Sequence, residues 1–372
     1  MKIAQIAPLY EAVPPRLYGG TERVVSNLCE ALVDLGHDVT LFASAEAQTR
    51  AHLAPSRDQA IRLDPAPLKS DVAAHLSMLG DLRERRDQFD IIHFHTDMLH
   101  FTLFEDMAAR TVTTLHGRLD LKDLPPVYRR WSKFPLISIS DSQRTHLPFA
   151  NWVGTVYHGM QADIGAWFSP QPREGYLAFL GRMSPEKGPD KAIEIAKRLG
   201  MPLKMAAKVD LADARYFHEV IEPLLDHPLI EYIGEIGDAQ KPAFLGGASA
   251  LLFPIDWPEP FGLVMIEAMA CGTPVIGFDC GSAPEVIDDG VTGFLVKDVD
   301  AAVEAVRAID KLDRREVRRR FDRRFSATAM ARGYLDVYAD RLAKAPFAAD
   351  LLEHDPELEE ASGALTALAQ IA

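Results

Sequence analysis

The sequence predicts an α/β protein of two doubly wound parallel-sheet domains. Three observations carry this: short β-branched runs alternate with stretches of helical periodicity, the alternation breaks once at 168–175 and restarts, and 372 residues exceed what one hydrophobic core usually holds.

In the first half, strands are expected over residues 2–7, 38–42, 91–94, 111–115, 136–140 and 155–157. Between the first two, residues 22–35 set apolar side chains at helical spacing and Gly36 ends the run. The break, Ser-Pro-Gln-Pro-Arg-Glu-Gly, is rich in turn formers and poor in residues that pack, so it reads as a linker. Beyond it, strands are expected over 176–180, 203–207, 230–233, 250–253 and 275–278, each followed by a helical pattern. The domains run 1–168 and 169–325. A helix over 326–345 is expected to cross back to the first domain, and 346–372 is expected to be an added helix or a loose acidic tail. Residues 313–325 carry seven arginines, which read as a solvated helix face.

Composition narrows the function. Forty Lys and Arg against 54 Asp and Glu give a net charge of −14, which opposes broad attraction to nucleic acid or anionic lipid but leaves room for a local basic pocket and peripheral membrane contact. The opening Met-Lys-Ile-Ala-Gln-Ile-Ala-Pro resembles a buried strand rather than a signal peptide, and no apolar run is long enough to span a bilayer. Cys29, Cys271 and Cys280 suggest neither a disulfide framework nor a zinc site, so a cytoplasmic location is expected.

The chemistry concentrates after the strand at 250–253. Two prolines flank Glu259, placing it in a loop at the carboxyl end of a strand, where open α/β sheets bind ligands. Helix formers run from Leu263 to Ala270, so the N–H groups near Phe261, Gly262 and Leu263 are free to meet phosphate or sugar oxygens. Glu267 lies further along this helix, and two acceptor-only carboxylates suit the hydroxyls of a long polyol ligand. Taken alone, Glu259 reads equally as a helix cap and Glu267 as an ordinary exposed residue.

A second turn, Phe179-Leu-Gly-Arg-Met-Ser-Pro-Glu-Lys-Gly188, brings Arg182 and Lys187 together; two cations can stabilise charge growing on a diphosphate leaving group, or one can simply pair with Glu186. In Leu17-Tyr-Gly-Gly-Thr-Glu-Arg23, Gly19 and Gly20 permit close approach of backbone to phosphate, and Thr21 suits a helix cap. The pair is not the Gly-x-Gly-x-x-Gly of a nicotinamide site. His116, in Thr113-Thr-Leu-His-Gly-Arg118, stands at a strand end, where a bond to a neighbouring loop is its ordinary role. His93, His95, His100 and Asp97 have a metal-site look, but the first two belong to the end of a buried strand, and no metal is expected. Asp298 and Asp300 precede a helical stretch and read as capping residues.

Glu-Pro-Phe-Gly-Leu, the seven residues between Glu259 and Glu267, Glu-Ala-Met-Ala-Cys-Gly-Thr-Pro-Val-Ile, and Gly281-Ser-Ala-Pro-Glu-Val-Ile-Asp-Asp-Gly-Val-Thr-Gly-Phe-Leu together resemble the retaining family 4 glycosyltransferases. The resemblance covers nearly the whole chain. It implies the GT-B architecture, two Rossmann-like domains facing a cleft, with the second binding a nucleotide sugar and the first the hydroxyl acceptor. It implies that Arg182 and Lys187 bind the donor diphosphate, Glu259 the sugar hydroxyls and Glu267 the ribose. The backbone of Phe261, Gly262 and Leu263 would meet sugar and phosphate, the Gly19-Gly20 loop would lie over the phosphates, and His116 would reach the sugar near the reaction centre. Retention without a metal cofactor is part of the same implication. Base contacts are expected near 208–210 and 233–235. The rivals are an epimerase or phosphorylase on the same architecture and a non-catalytic nucleotide-sugar-binding protein.

Overall fold

The computed structural model describes residues 1–16, 19–172 and 174–344; the expected tail at 346–372 lies outside the described residues. The first sheet contains β1 (Lys2–Ile6), β2 (Asp38–Ser44), β3 (His52–Arg57), β4 (Ile91–Phe94), β5 (Thr111–Thr114), β6 (Leu136–Ser138) and β7 (Trp152–Thr155). Its order is β3-β2-β1-β4-β5-β6-β7, parallel throughout. The second contains β8 (Tyr176–Arg182), β9 (Leu203–Lys208), β10 (Ile230–Gly234), β11 (Ala248–Phe253), β12 (Val275–Phe278) and β13 (Gly293–Val296), in the order β10-β9-β8-β11-β12-β13, also parallel. The inner strands are largely buried because helices cover both faces, giving two core clusters per sheet, while the edge strands β3 and β10 mix buried and exposed positions.

Strand order reverses between β1 and β4 in one sheet and between β8 and β11 in the other. Chains leaving adjacent strands toward opposite faces open a crevice at the carboxyl ends, and both crevices line one cavity.

Three strand assignments differ from the sequence expectation. β3 was not expected: its Pro55 breaks the pattern, yet an edge strand tolerates the missing N–H. β13 was also not expected, being a four-residue edge strand that opens on glycine; a side chain at Gly293 would overlap the Val275 backbone of β12. The strand expected at 155–157 lies earlier, at Trp152–Thr155. Past it the chain turns to pair with the C-terminal crossing segment, where Met160 bonds to the backbone of Phe325 and Ala327.

Helix α1 (Gly20–Asp34) and the final helix, Ala327–Lys344, pack together on the first sheet. The arginine helix, Arg314–Arg324, is not simply a solvated face. Arg314 and Arg318 are 7% and 5% exposed. Arg314 donates to the carbonyls of Ser169 and Ala248 at 2.9 and 3.0 Å and to Thr273 Oγ1 at 2.7 Å. Arg318 donates to the carbonyls of Ala270 and Ala162, each at 2.7 Å. Arg318 at Ala270, and Arg314 at Cys271 just beyond it at 3.5 Å, place positive charge at the C-terminus of helix Leu263–Ala270, where it is favoured. Asp298 does cap its helix, accepting from Ala301 N at 2.8 Å, and Asp300 pairs with Arg198 at 2.6 Å.

Candidate functional site

The cavity between the two switch points has a volume of about 640 Å³. All the candidate site residues line it: Gly19, Gly20, His116, Arg182, Lys187, Glu259, Phe261, Gly262, Leu263 and Glu267.

The turn after β11 is shaped by a strap from the turn after β12. Ser282 N donates to the Glu259 carbonyl at 3.0 Å, and Ser282 Oγ to the Phe261 carbonyl at 2.8 Å. Gly281 has φ +57°, and a Cβ there would collide with the Glu259 backbone, so only glycine lets the strap approach. Gly262, also left-handed at φ +78°, turns the chain into the helix Leu263–Ala270. Among the described residues, the backbone N–H groups of Phe261, Gly262 and Leu263 bond to no other group, so the positive helix end faces the cavity with its donors uncommitted.

The turn after β8 closes on the same point. Gly188, at φ +66°, would strike the Pro254 carbonyl if it carried a side chain, and this contact seats Lys187 beside Glu259. The Lys187 ammonium pairs with the Glu259 carboxylate and lies 5.1 Å from the Trp257 ring centroid. Arg182 lies among three carboxylates: Asp213 at 3.3 Å, Glu186 at 3.4 Å and Asp210 at 3.7 Å. The two cations expected to converge on one anion thus each stand on acidic partners, which come from the turns after β8, β9 and β11. Arg118, of the first domain, reaches Glu186 at 3.0 Å and ties the two turns across the cleft.

Glu267 is 3% exposed and pairs with Lys241 at 2.6 Å, while Lys241 also reaches Asp238 at 3.1 Å. Arg23, near the start of α1, completes this cluster by pairing with Asp238. Glu267 is therefore not an exposed helix residue. Lys241, Asp238 and Arg118 were missed by sequence reasoning: each is a single charged residue in an unremarkable stretch, and only the fold gathers them.

Gly20 opens α1 opposite Leu263 of helix Leu263–Ala270; a Cβ there would meet the leucine at 3.6 Å. Gly19 is the N-cap, and a Cβ on it would press on Pro15. Thr21 does not cap this helix, because α1 starts one residue before it. Leu17 and Tyr18 lie outside the described residues.

His116 follows β5 and stacks on His158 with centroids 5.1 Å apart, and His158 in turn meets Phe261 edge-on at 4.9 Å. Its Nε2 lies 2.8 Å from His95 Nδ1, whereas its Nδ1 is buried without a partner in the protein. Burial lowers the His116 pKa to about 3 and holds His93, His95 and His158 well below the usual imidazole value. His93 spends both ring nitrogens on Tyr338 and Thr114, at 2.7 Å each. Among the described residues no group of three or more His, Cys, Asp or Glu is placed to hold a metal ion. Asp97, left-handed at φ +49°, lines the first-domain side of the cavity. Its side chain is exposed to the cleft, and desolvation by the cleft walls raises its pKa to about 6.

The chain is similar to known proteins over most of its length. The family described as Glycosyltransferase Family 4 matches residues 18–168, and that described as Glycosyl transferases group 1 matches residues 168–327. A phosphatidyl-myo-inositol mannosyltransferase of Mycolicibacterium smegmatis is 26% identical over 347 residues, covering 86% of each chain. The structure of AviGT4, a glycosyltransferase involved in avilamycin A biosynthesis, superposes with a TM-score of 0.70 at 25% identity, covering 93% of this chain and 99% of that one. Anabaena Alr3699/HepE, solved in complex with UDP and glucose, superposes with a TM-score of 0.71 at 18% identity, covering 91% of this chain and 100% of that one. The two sheets with their facing switch points are the GT-B architecture of these glycosyltransferases. With matches running without a gap from residue 18 to residue 327, the chain belongs to the family 4 glycosyltransferases.

Proposed function

We propose that this protein transfers a hexosyl unit from a nucleoside diphosphate sugar, of the UDP-glucose or GDP-mannose type, to a hydroxyl acceptor, in the cytoplasm, with retention of anomeric configuration and without a metal cofactor. The observation that carries the reading is the single cavity that holds Arg182, Lys187, Glu259, Glu267 and the uncommitted N-terminus of helix Leu263–Ala270 together. The UDP and glucose of Alr3699/HepE and the mannosyl transfer named for the mycobacterial relative support a nucleotide-sugar donor.

The diphosphate lies over the N–H groups of Gly262 and Leu263, with Arg182 and Lys187 alongside. Lys187 exchanges its bond to Glu259 for a phosphate oxygen, which frees the carboxylate to accept from sugar hydroxyls. Glu267 accepts from the ribose hydroxyls, held in place by its ion pair with Lys241. As the bond from the anomeric carbon to the phosphate oxygen breaks, negative charge grows on the diphosphate, where the cations and the helix dipole stabilise it most. The acceptor hydroxyl attacks from the same face, forming the new glycosidic bond while its proton passes to the departing phosphate oxygen. His116 and the Gly19-Gly20 turn hold the sugar from the first domain. Nucleoside diphosphate release from a panel of donor sugars tests the transfer, and the anomeric-proton NMR signal of the product tests retention. An inverted product rejects the same-face attack, and no release with any donor rejects the transfer.

A further inference from the structure

A line of buried hydrogen bonds runs from the C-terminal helix to His116. Gln5, on the inner strand β1, donates from Nε2 to the Tyr338 hydroxyl at 3.1 Å, and its Oε1 lies 2.8 Å from His95 Nε2. His95 Nδ1 lies 2.8 Å from His116 Nε2. On the other side, the Tyr338 hydroxyl lies 2.7 Å from His93 Nδ1, His93 Nε2 lies 2.7 Å from Thr114 Oγ1, and Thr114 donates to Tyr334 at 3.1 Å. Gln5, His93, Thr114, Tyr334 and Tyr338 are fully buried and His95 is 2% exposed. So many polar groups in a core are costly unless each is matched, and their matching propagates direction along the line.

The direction follows from valence. An amide oxygen only accepts, so His95 must carry its proton on Nε2. A neutral imidazole has one N–H, which leaves His95 Nδ1 as an acceptor and makes His116 Nε2 the donor to it. His116 then has no proton on Nδ1, the ring nitrogen without a partner in the protein. The same rule runs the other way: Tyr338 accepts from Gln5 and donates to His93 Nδ1, and His93 Nε2–H donates to Thr114.

We infer that Gln5 and His95 are positioning residues that fix His116 as its Nε2–H tautomer, so that its Nδ1, covered by neighbouring protein, is a lone pair that a slight turn of the ring presents to a hydroxyl of the donor sugar. The ligand half of this inference rests on the function proposed above; the tautomer does not. A lone pair left unmatched in the core is also cheaper to keep than an unmatched N–H. A hydroxyl that donates to Nδ1 keeps its own oxygen free for a cation or backbone donor.

Long-range proton–nitrogen NMR of the histidine-labelled protein alone, with the His116 signals assigned by a His116→Asn variant, reads the tautomer directly. The expected spectrum has a pyridine-type Nδ1 and a protonated Nε2 on His116. A protonated Nδ1 overturns the inference, because the Gln5 amide would then be reversed and every bond in the line with it. In Gln5→Met, the expected result is loss of the fixed His116 tautomer and a fall of about tenfold in kcat/KM for the donor, the worth of one directed hydrogen bond. An unchanged tautomer in a folded Gln5→Met protein also overturns it. If that variant fails to fold, the wild-type spectrum decides alone. A protein that shows the expected tautomer but turns over no donor sugar contradicts the proposed function and leaves the tautomer assignment standing.

Discussion

Lys187 and Glu259 form an ion pair that joins the turn after β8 to the turn after β11, with side chains 17% and 12% exposed. The two residues are 72 positions apart in sequence. The strands that deliver them are neighbours at the point where the sheet order reverses, and this adjacency puts a cation and a carboxylate at one spot.

Removing the ammonium while keeping the turn should therefore affect the donor more than the fold. Lys187→Ala is expected to lower kcat by roughly 10²- to 10³-fold, the usual cost of deleting one fixed transition-state partner. Steady-state kinetics with the best donor, alongside circular dichroism to confirm folding, checks this; a loss below threefold would show that Lys187 does not meet the leaving group.

Gly281 has a structural task that any side chain would break. Gly281→Ala is expected to cost about 1–3 kcal/mol, through a left-handed backbone and overlap with the Glu259 backbone, and to weaken donor binding as well by shifting the Glu259 loop. Urea unfolding at unchanged m-value measures the first effect and calorimetric titration the second. Unaltered stability would show that the strap yields freely.

The general plan of the molecule was legible in the sequence because alternation of buried strands and helices fixes the class, and Arg182, Lys187 and Glu259 lie at strand ends and turns that such sheets use for ligands, with Glu267 on the helix that follows. The pairing of these residues was not legible. Lys241 gives no sequence signal, yet it neutralises Glu267 because the helix it opens, Lys241–Gly247, packs against Leu263–Ala270. The arginine-rich stretch misled because composition says how many charges a helix carries, not where its backbone neighbours leave carbonyls unpaired. Edge strands β3 and β13 escaped because proline and glycine, breakers in most strands, are acceptable where one side has no partner.

Arg314 should then be structural. Arg314→Met leaves the carbonyls of Ser169 and Ala248 and the Thr273 hydroxyl without their donor, and a loss on the order of 3 kcal/mol is expected. A thermal melt of the variant measures it, and a melting temperature matching the wild type would mean that water reaches these carbonyls.

The histidine cluster predicts acid lability. His116, at about 3, and His93, His95 and His158, all well below the ordinary imidazole value, are depressed by burial, so the unfolded chain binds protons at pH values where the folded one does not. Their contribution is complete above pH 6.5 and falls away as pH drops toward the folded values. Asp97 has the opposite sign: raised to about 6, it favours folding at acid pH and loses that contribution as pH rises through 6. Asp97→Asn is thus expected to raise the melting temperature at pH 8 and to change it little at pH 4, while the wild type melts progressively lower below pH 6.5. Melts across pH 4 to 8 test both signs; a wild-type stability that is flat from pH 7 to 5 would contradict the buried, neutral histidines.

The most direct measurement of the central claim is calorimetric titration of UDP, GDP and ADP into the wild type, Lys187→Ala and Arg182→Ala. The account predicts that at least one diphosphate binds the wild type with a single site and that each substitution weakens it by roughly tenfold or more, as for a charge-assisted bond to phosphate. Binding of none of the three, or binding indifferent to both substitutions, would contradict the assignment of this cleft to a nucleotide-sugar donor.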